Sequence, residues 1–138
     1  DTANSTEMTN DTMYPVIDLM ESQKNIKIKG GTMRLGSWEC LLTKNSLVSA
    51  IYGKSNINER HRHRFEFNNK FSKIIFSKTL EASGINPDTG LIEIIELKDH
   101  PWFVGVQFHP EYKSTVSEPH PLFVSFVSAA LEYSKLKS

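Results

Sequence analysis

Val106-Gln107-Phe108-His109-Pro110-Glu111-Tyr112 closes an apolar run and places an imidazole two residues before a carboxylate. A strand over Trp102 to Phe108 is predicted to deliver His109 to a sheet edge. Proline fixes its own φ and disfavours the α region for the residue before it, so His109 is expected to be extended. In an extended chain, residues i and i+2 point to the same side. The Glu111 carboxylate can then accept a hydrogen bond from one imidazole nitrogen and leave the other free as a base. These are two members of a Cys-His-Glu triad. The third, a nucleophile in a strand-to-helix elbow, has no match in this sequence, so the chain alone is expected to be inactive. By itself the tripeptide better suits a surface His-Pro turn with a solvated glutamate.

Outward from that run, Leu91 to Leu97 reads as a strand rich in β-branched residues, and Asp99-His100-Pro101 as the turn between the two strands. Asn86-Pro87-Asp88-Thr89-Gly90 is a strong turn signal. Beyond His109, Pro119 to Pro121 opens a helix from Leu122 to about Leu136. Leu122, Phe123, Phe126, Val127, Ala130 and Leu131 recur there at helical spacing.

Upstream, Asp1 to Asn10 is polar, and no element is predicted in it. Pro15 to Met20 is a short strand or one helical turn. Lys24 to Lys29 reads as charged and exposed, and Gly30-Gly31 as flexible punctuation. Met33 and Leu35 share one face; after Gly36, so do Trp38, Cys40 and Leu42. The pattern fits a bent strand pair or one long strand kinked at glycine. Asn45 is a plausible cap for a helix from Ser46 to Tyr52, ended by Gly53. Lys70 to Phe76 suggests a short helix.

Glu59 to Asn68 alternates strictly, with Arg60, Arg62, Arg64 and Glu66 on one face and His61, His63, Phe65 and Phe67 on the other. Guanidinium groups suit a substrate carboxylate through paired hydrogen bonds. Three other readings fit the run: an edge strand kept soluble by charge, a His-x-His metal pair at His61 and His63, and a nucleic-acid patch. No further cluster of histidine or cysteine supports a metal. Cys40, the one cysteine, lies in predicted strand with no glycine elbow around it, and reads as structural.

A chain of 138 residues fits one domain. Sixteen basic and sixteen acidic residues cancel, which argues against long-range attraction to nucleic acid or an anionic membrane. No basic-then-apolar leader and no apolar run of membrane length are visible, and a lone thiol suits a reducing compartment. A cytoplasmic location is the expectation.

Taken in series, these stretches resemble the class I (triad-type) glutamine amidotransferases. The likeness is to the C-terminal half of a glutaminase domain of the kind that supplies ammonia for making CTP from UTP. It rests on Ala3-Asn4-Ser5-Thr6-Glu7, Pro15 through Met20, Gly30-Gly31-Thr32-Met33-Arg34-Leu35-Gly36, and Glu59 through Arg64. Leu91 through Glu96, His100-Pro101-Trp102-Phe103, Val106 through Glu111 and His120-Pro121-Leu122-Phe123 complete it. The His-Pro-Glu run marks only the superfamily; the runs at Met33–Gly36, Arg60–Arg64 and His100–Phe103 are more specific.

The resemblance implies a three-layer α/β fold with a mostly parallel central sheet, of which residues 1–138 hold the C-terminal portion. It implies His109 as the triad base, Glu111 as its orienting acid and Arg64 as a glutamine-binding residue, with weaker support for Arg62. No cofactor or metal site is implied here, since ATP and magnesium belong to a synthase domain absent from this sequence. The implied partners are glutamine, the preceding half of the glutaminase domain and that synthase domain, in a homotetrameric full enzyme. Open sheet edges and uncovered helix faces imply stability only when the preceding half is present. Alternatives are another triad amidotransferase, a γ-glutamyl hydrolase, or a non-catalytic binding or regulatory module on the same scaffold.

Overall fold

The structure, a computed structural model, describes residues 2–9, 11–19 and 33–136. The charged stretch Lys24–Lys29 and the Gly30-Gly31 pair lie outside the described residues. Two sheets organise the rest. The smaller has the order β1-β2-β5, built from Ala3–Ser5, Tyr14–Leu19 and Phe65–Phe67. The larger has the order β4-β3-β6-β7-β8, where β3 is Arg34–Leu42, β4 Asn56–His63, β6 Leu80–Ile85, β7 Ile92–Leu97 and β8 Val104–Val106. Helix α1 spans Leu47–Tyr52, α2 spans Ser72–Ile75 and α3 spans Pro121–Lys135. No described helix is long and apolar enough to cross a membrane.

The expected mostly parallel sheet is not what these residues form. Only β1 and β2 pair in parallel; every other described pairing is antiparallel. The reason lies in the connections. From β6 to β8 short links return the chain antiparallel, too short for the crossover of a dozen or more residues that parallel neighbours usually need. The Asn86–Gly90 turn joins β6 to β7 in this way. Asn86 is fully buried; its side-chain oxygen accepts from the Asp88 and Thr89 amides, and its amide nitrogen donates to the Glu39 carbonyl. Gly90 takes the left-handed φ of +68° that the turn requires.

Two further expectations change. The polar opening is not without structure, because Ala3–Ser5 forms β1 against β2. Of the two readings of the stretch around Gly36, the long strand holds: β3 runs unbroken over Arg34–Leu42, with Gly36 at φ +89° inside it. The predicted helix after Asn45 is present, but Ser46 is its cap and Asn45 sits one residue earlier at φ +64°. Gly53 ends it in the left-handed conformation, as the sequence suggests. The buried Glu96 carboxylate on β7 accepts from the Leu47 and Val48 amides at 2.9 Å each, so a remote strand completes this N-terminus.

Cys40, Leu42, Val48, Ile57, Ile94, Phe108 and Leu122 form the apolar core. Gly84 lies where a β-carbon would come 2.6 Å from Ile94 Cγ1 and 2.8 Å from Cys40 Sγ. Both neighbours are fully buried with no room to give way, so Gly84→Ala is expected to destabilise the core by about 1–3 kcal/mol. Faster amide hydrogen exchange along β6 and β7 in the full-length protein checks this. Unchanged protection would mean that the core yields without cost.

Helix α3 has the predicted amphipathic pattern, yet only Leu122 of its apolar stripe is buried. Phe126 packs edge-on against Trp102 at 5.1 Å, and Trp102 Nε1 donates to Ser125 Oγ at 2.8 Å. Phe123, Val127 and Leu131 remain exposed.

Candidate active site

His109 ends the segment after β8. Its backbone N–H donates to the Arg60 carbonyl at 2.8 Å, which ties it to the free edge of β4. With φ −112° and ψ 90° it is extended, as the following proline demands. Glu111 does not reach it by strand alternation, because Pro110–Lys113 is a 3-10 turn. That turn still brings the carboxylate round: His109 Nδ1 lies 2.7 Å from Glu111 Oε1. Tyr112 stacks on the imidazole at 5.1 Å. A carboxylate can only accept, so Nδ1 carries the proton and Nε2 is left as the basic nitrogen. The slight burial of Glu111 raises its carboxyl, but the hydrogen bond from His109 outweighs this and holds it below the ordinary range.

The turn carrying Glu111 is anchored below. Lys113 Nζ donates to the Asn58 carbonyl at 2.6 Å and lies 3.6 Å from Glu59 Oε1. Glu59, buried on β4, also takes hydrogen bonds from Tyr52 at 3.1 Å and His120 at 3.2 Å. His120 caps α3 through Nδ1, which accepts from the Leu122 amide, so its Nε2 carries the proton.

Strand β4 buries Ile57, Glu59 and His61 and exposes Arg60 and Arg62, as the alternation predicts. The alternation then breaks. At Arg64 the chain leaves the larger sheet, and Phe65 begins β5 in the smaller one. Glu66 is consequently buried and does not share a face with Arg60 and Arg62. Its partner is Arg34, at the start of β3, whose Nη1 lies 3.6 Å from Glu66 Oε1 and 2.5 Å from Glu93 Oε1 on β7. The guanidinium also covers the Trp38 ring at 4.7 Å. Burial pushes the Glu66 carboxyl up to about 7, against the pull of Arg34, and raises Glu93 in the same way.

A cleft of about 590 Å³ opens above this cluster, lined by Ser5, Glu7, Arg62, His63, Arg64 and His109 among others. Of the residues expected at a site, His109, Arg62 and Arg64 line it together, and Glu111 stands behind His109. Glu7 and His63 are additions. Glu7 lies in the Ala3–Glu7 stretch, where composition suggested only a loop. Opposite charges on one wall, Arg62 and Arg64 against Glu7, suit a zwitterion.

Cys40 is elsewhere, fully buried in the core. Burial, then the nearby Glu93, push its thiol up to about 12, a setting that suppresses the thiolate. His61 and His63 do face each other, with Nδ1 of the first 2.8 Å from Nε2 of the second. That contact occupies the nitrogens a shared metal would need. Among the described residues no cluster of metal-binding side chains is found.

Comparison with known proteins gives the family. Residues 6–129 match the family model described as glutamine amidotransferase class-I. A CTP synthase of Christiangramia forsetii is 66% identical over 132 residues, covering 96% of this chain and 24% of that protein. The CTP synthase of Cytophaga hutchinsonii is 63% identical, covering 98% of this chain and 25% of that protein. The chain therefore spans about a quarter of the length of these relatives. The glutaminase domain of Trypanosoma brucei CTPS with bound acivicin superposes with a TM-score of 0.85 at 32% identity, over 95% of this chain and 51% of that one. With nearly its whole length matched, the chain belongs to the class-I glutamine amidotransferase family, where its sequence lies with the glutaminase region of the CTP synthases.

Proposed function

We propose that this chain supplies the base, the orienting acid and the carboxylate-binding arginine of a glutaminase site that feeds ammonia to the ATP-dependent amination of UTP. The observation that carries the reading is the 2.7 Å contact between His109 Nδ1 and Glu111, on the wall of a cleft shared with Arg62, Arg64 and Glu7. A nucleophilic cysteine comes from the preceding half of the domain. Its thiol gives a proton to His109 Nε2, and the thiolate attacks the side-chain amide carbon of glutamine. The tetrahedral intermediate collapses, the C–N bond breaks, and His109 returns the proton to the departing ammonia. Water, deprotonated by the same nitrogen, then opens the thioester and releases glutamate.

Arg64 takes the α-carboxylate and Glu7 the α-ammonium of the substrate. The exposed stripe of α3 and the half of the Trypanosoma domain that this chain does not cover support a preceding half packed here. ATP and magnesium serve the synthase domain, and no residue of this chain is assigned to them. Replacing Arg64 with alanine in the full-length protein tests the reading. The glutamine KM is expected to rise by about 10–100-fold with a smaller change in kcat, since a ground-state contact is lost. An unchanged glutamine requirement would remove Arg64 from the site.

A further inference from the structure

His63 lines the cleft, yet no step above uses it. Its ring bridges the point where the chain changes sheets. His63 Nδ1 lies 3.0 Å from the carbonyl of Phe65, two residues on, so the bond spans Arg64. A carbonyl only accepts, and therefore Nδ1 bears the proton. In the neutral ring Nε2 is then bare, and it accepts from His61 Nδ1 at 2.8 Å. His61 must in turn be protonated at Nδ1, which leaves its own Nε2 facing Glu93 Oε2 at 3.7 Å. Each ring thus fixes the tautomer of the next.

The charged groups around the pair are Arg34 from β3, Glu66 from β5, Glu93 from β7 and His109 after β8. Burial first, then Arg34, disfavour a second proton on His61, lowering it to about 3. Burial likewise lowers His63, although its bond to Phe65 opposes the shift. A cationic His63 would point a proton from Nε2 at the proton of His61 and break the series.

We propose that His63 is a positioning residue for Arg64: oriented by His61, its ring ties the Phe65 carbonyl across Arg64 and fixes how that guanidinium lines the cleft. The inference rests on the glutaminase reading, in which Arg64 binds the substrate carboxylate. The tie sets the backbone direction from which the Arg64 side chain leaves the one-residue crossover, and misplacement of a binding group lowers affinity before it touches chemistry.

Asparagine and glutamine separate the two nitrogens of the ring. An asparagine amide sits near Nδ1 and can still donate to Phe65; a glutamine amide sits near Nε2 and cannot. In the full-length protein, His63→Asn is expected to keep the glutamine KM for glutamate release within about threefold, while His63→Gln raises it by about tenfold or more. In both, kcat and ammonia-dependent CTP formation are expected to stay near parental values. Should His63→Gln fail to fold, His61→Phe removes the donor that orients His63 and is expected to raise KM by the same order. Equal KM values in the Asn and Gln variants, or a fall in kcat alone, would overturn the positioning role and leave the glutaminase reading intact. A parent protein that releases no glutamate from glutamine would overturn both.

Discussion

His109→Ala in the full-length protein is expected to lower glutamine-dependent CTP formation by about a thousandfold or more, and to leave ammonia-dependent formation within about twofold of the parent. The asymmetry follows from the route of nitrogen. On the proposed glutaminase reading, glutamine is cleaved at the site on this chain, and both proton transfers of that cleavage run through one imidazole. Free ammonia enters the amination step without it. The side chain is about one-third exposed and its neighbours are Glu111 and Tyr112, so its removal opens no core cavity. Glu111→Gln is expected to cost less. The carboxylate only sets the tautomer, and being more than half exposed it can be replaced in part by water. A loss from Glu111→Gln equal to that from His109→Ala would contradict this ranking. Loss of ammonia-dependent synthesis in His109→Ala would give the histidine a structural role instead. The assay needs only two nitrogen donors at matched UTP and ATP.

The His109–Glu111 pair could be read from the sequence because its geometry is local. Proline constrains the residue before it, and the carboxylate lies two positions away. The C-terminal helix was equally readable from its apolar spacing, as were the turns at Asn86–Gly90 and Gly53. The break at Arg64 was not. Five alternating basic residues look like one uninterrupted strand, and nothing within Arg60–Phe67 says that Glu66 turns inward. That is decided by Arg34 on β3 and Glu93 on β7, some thirty residues away on either side. Strand β6 escaped notice for a related reason. Its centre is Ala82-Ser83-Gly84, without β-branched residues, because a glycine is required where Ile94 and Cys40 press closest. The parallel sheet was expected from the resemblance, and the short links from β6 to β8 return the chain the other way. Local chemistry reached the contact between His109 and Glu111, while the placement of the arginine depended on buried charges contributed by distant strands.

Those buried charges carry the last expected result, for Arg34→Met in the full-length protein. Methionine keeps an unbranched apolar stem and removes the guanidinium, both from over Trp38 and from between Glu66 and Glu93. Breaking a buried ion pair from one side is expected to destabilise by about 3–5 kcal/mol, since the remaining charge has no partner. The loss is expected to depend on pH, and its sign can be worked out. Glu66 rises from 4.5 unfolded to about 7 folded, so its contribution is present below 4.5 and lost as pH climbs through about 7. Arg34 opposes that rise; without it the folded value moves higher still, and more stability is lost on the alkaline side. His61 runs the other way. It falls from 6.5 to about 3, so its contribution is present above 6.5 and lost as pH drops through about 3. Arg34 is one cause of that fall, and removing it relaxes the penalty in acid. Both effects shift the stability optimum downward. Hydrogen-exchange protection of β3, β5 and β7, corrected for intrinsic rates, is expected to fall furthest behind the parent near about pH 8 and least near about pH 5. Arg34→Lys should preserve most of the pH profile while losing the paired geometry of the guanidinium. A deficit in Arg34→Met that is the same at both pH values would assign the effect to packing against Trp38, and would remove the charge balance among Arg34, Glu66 and Glu93 as the reason Glu66 turns inward.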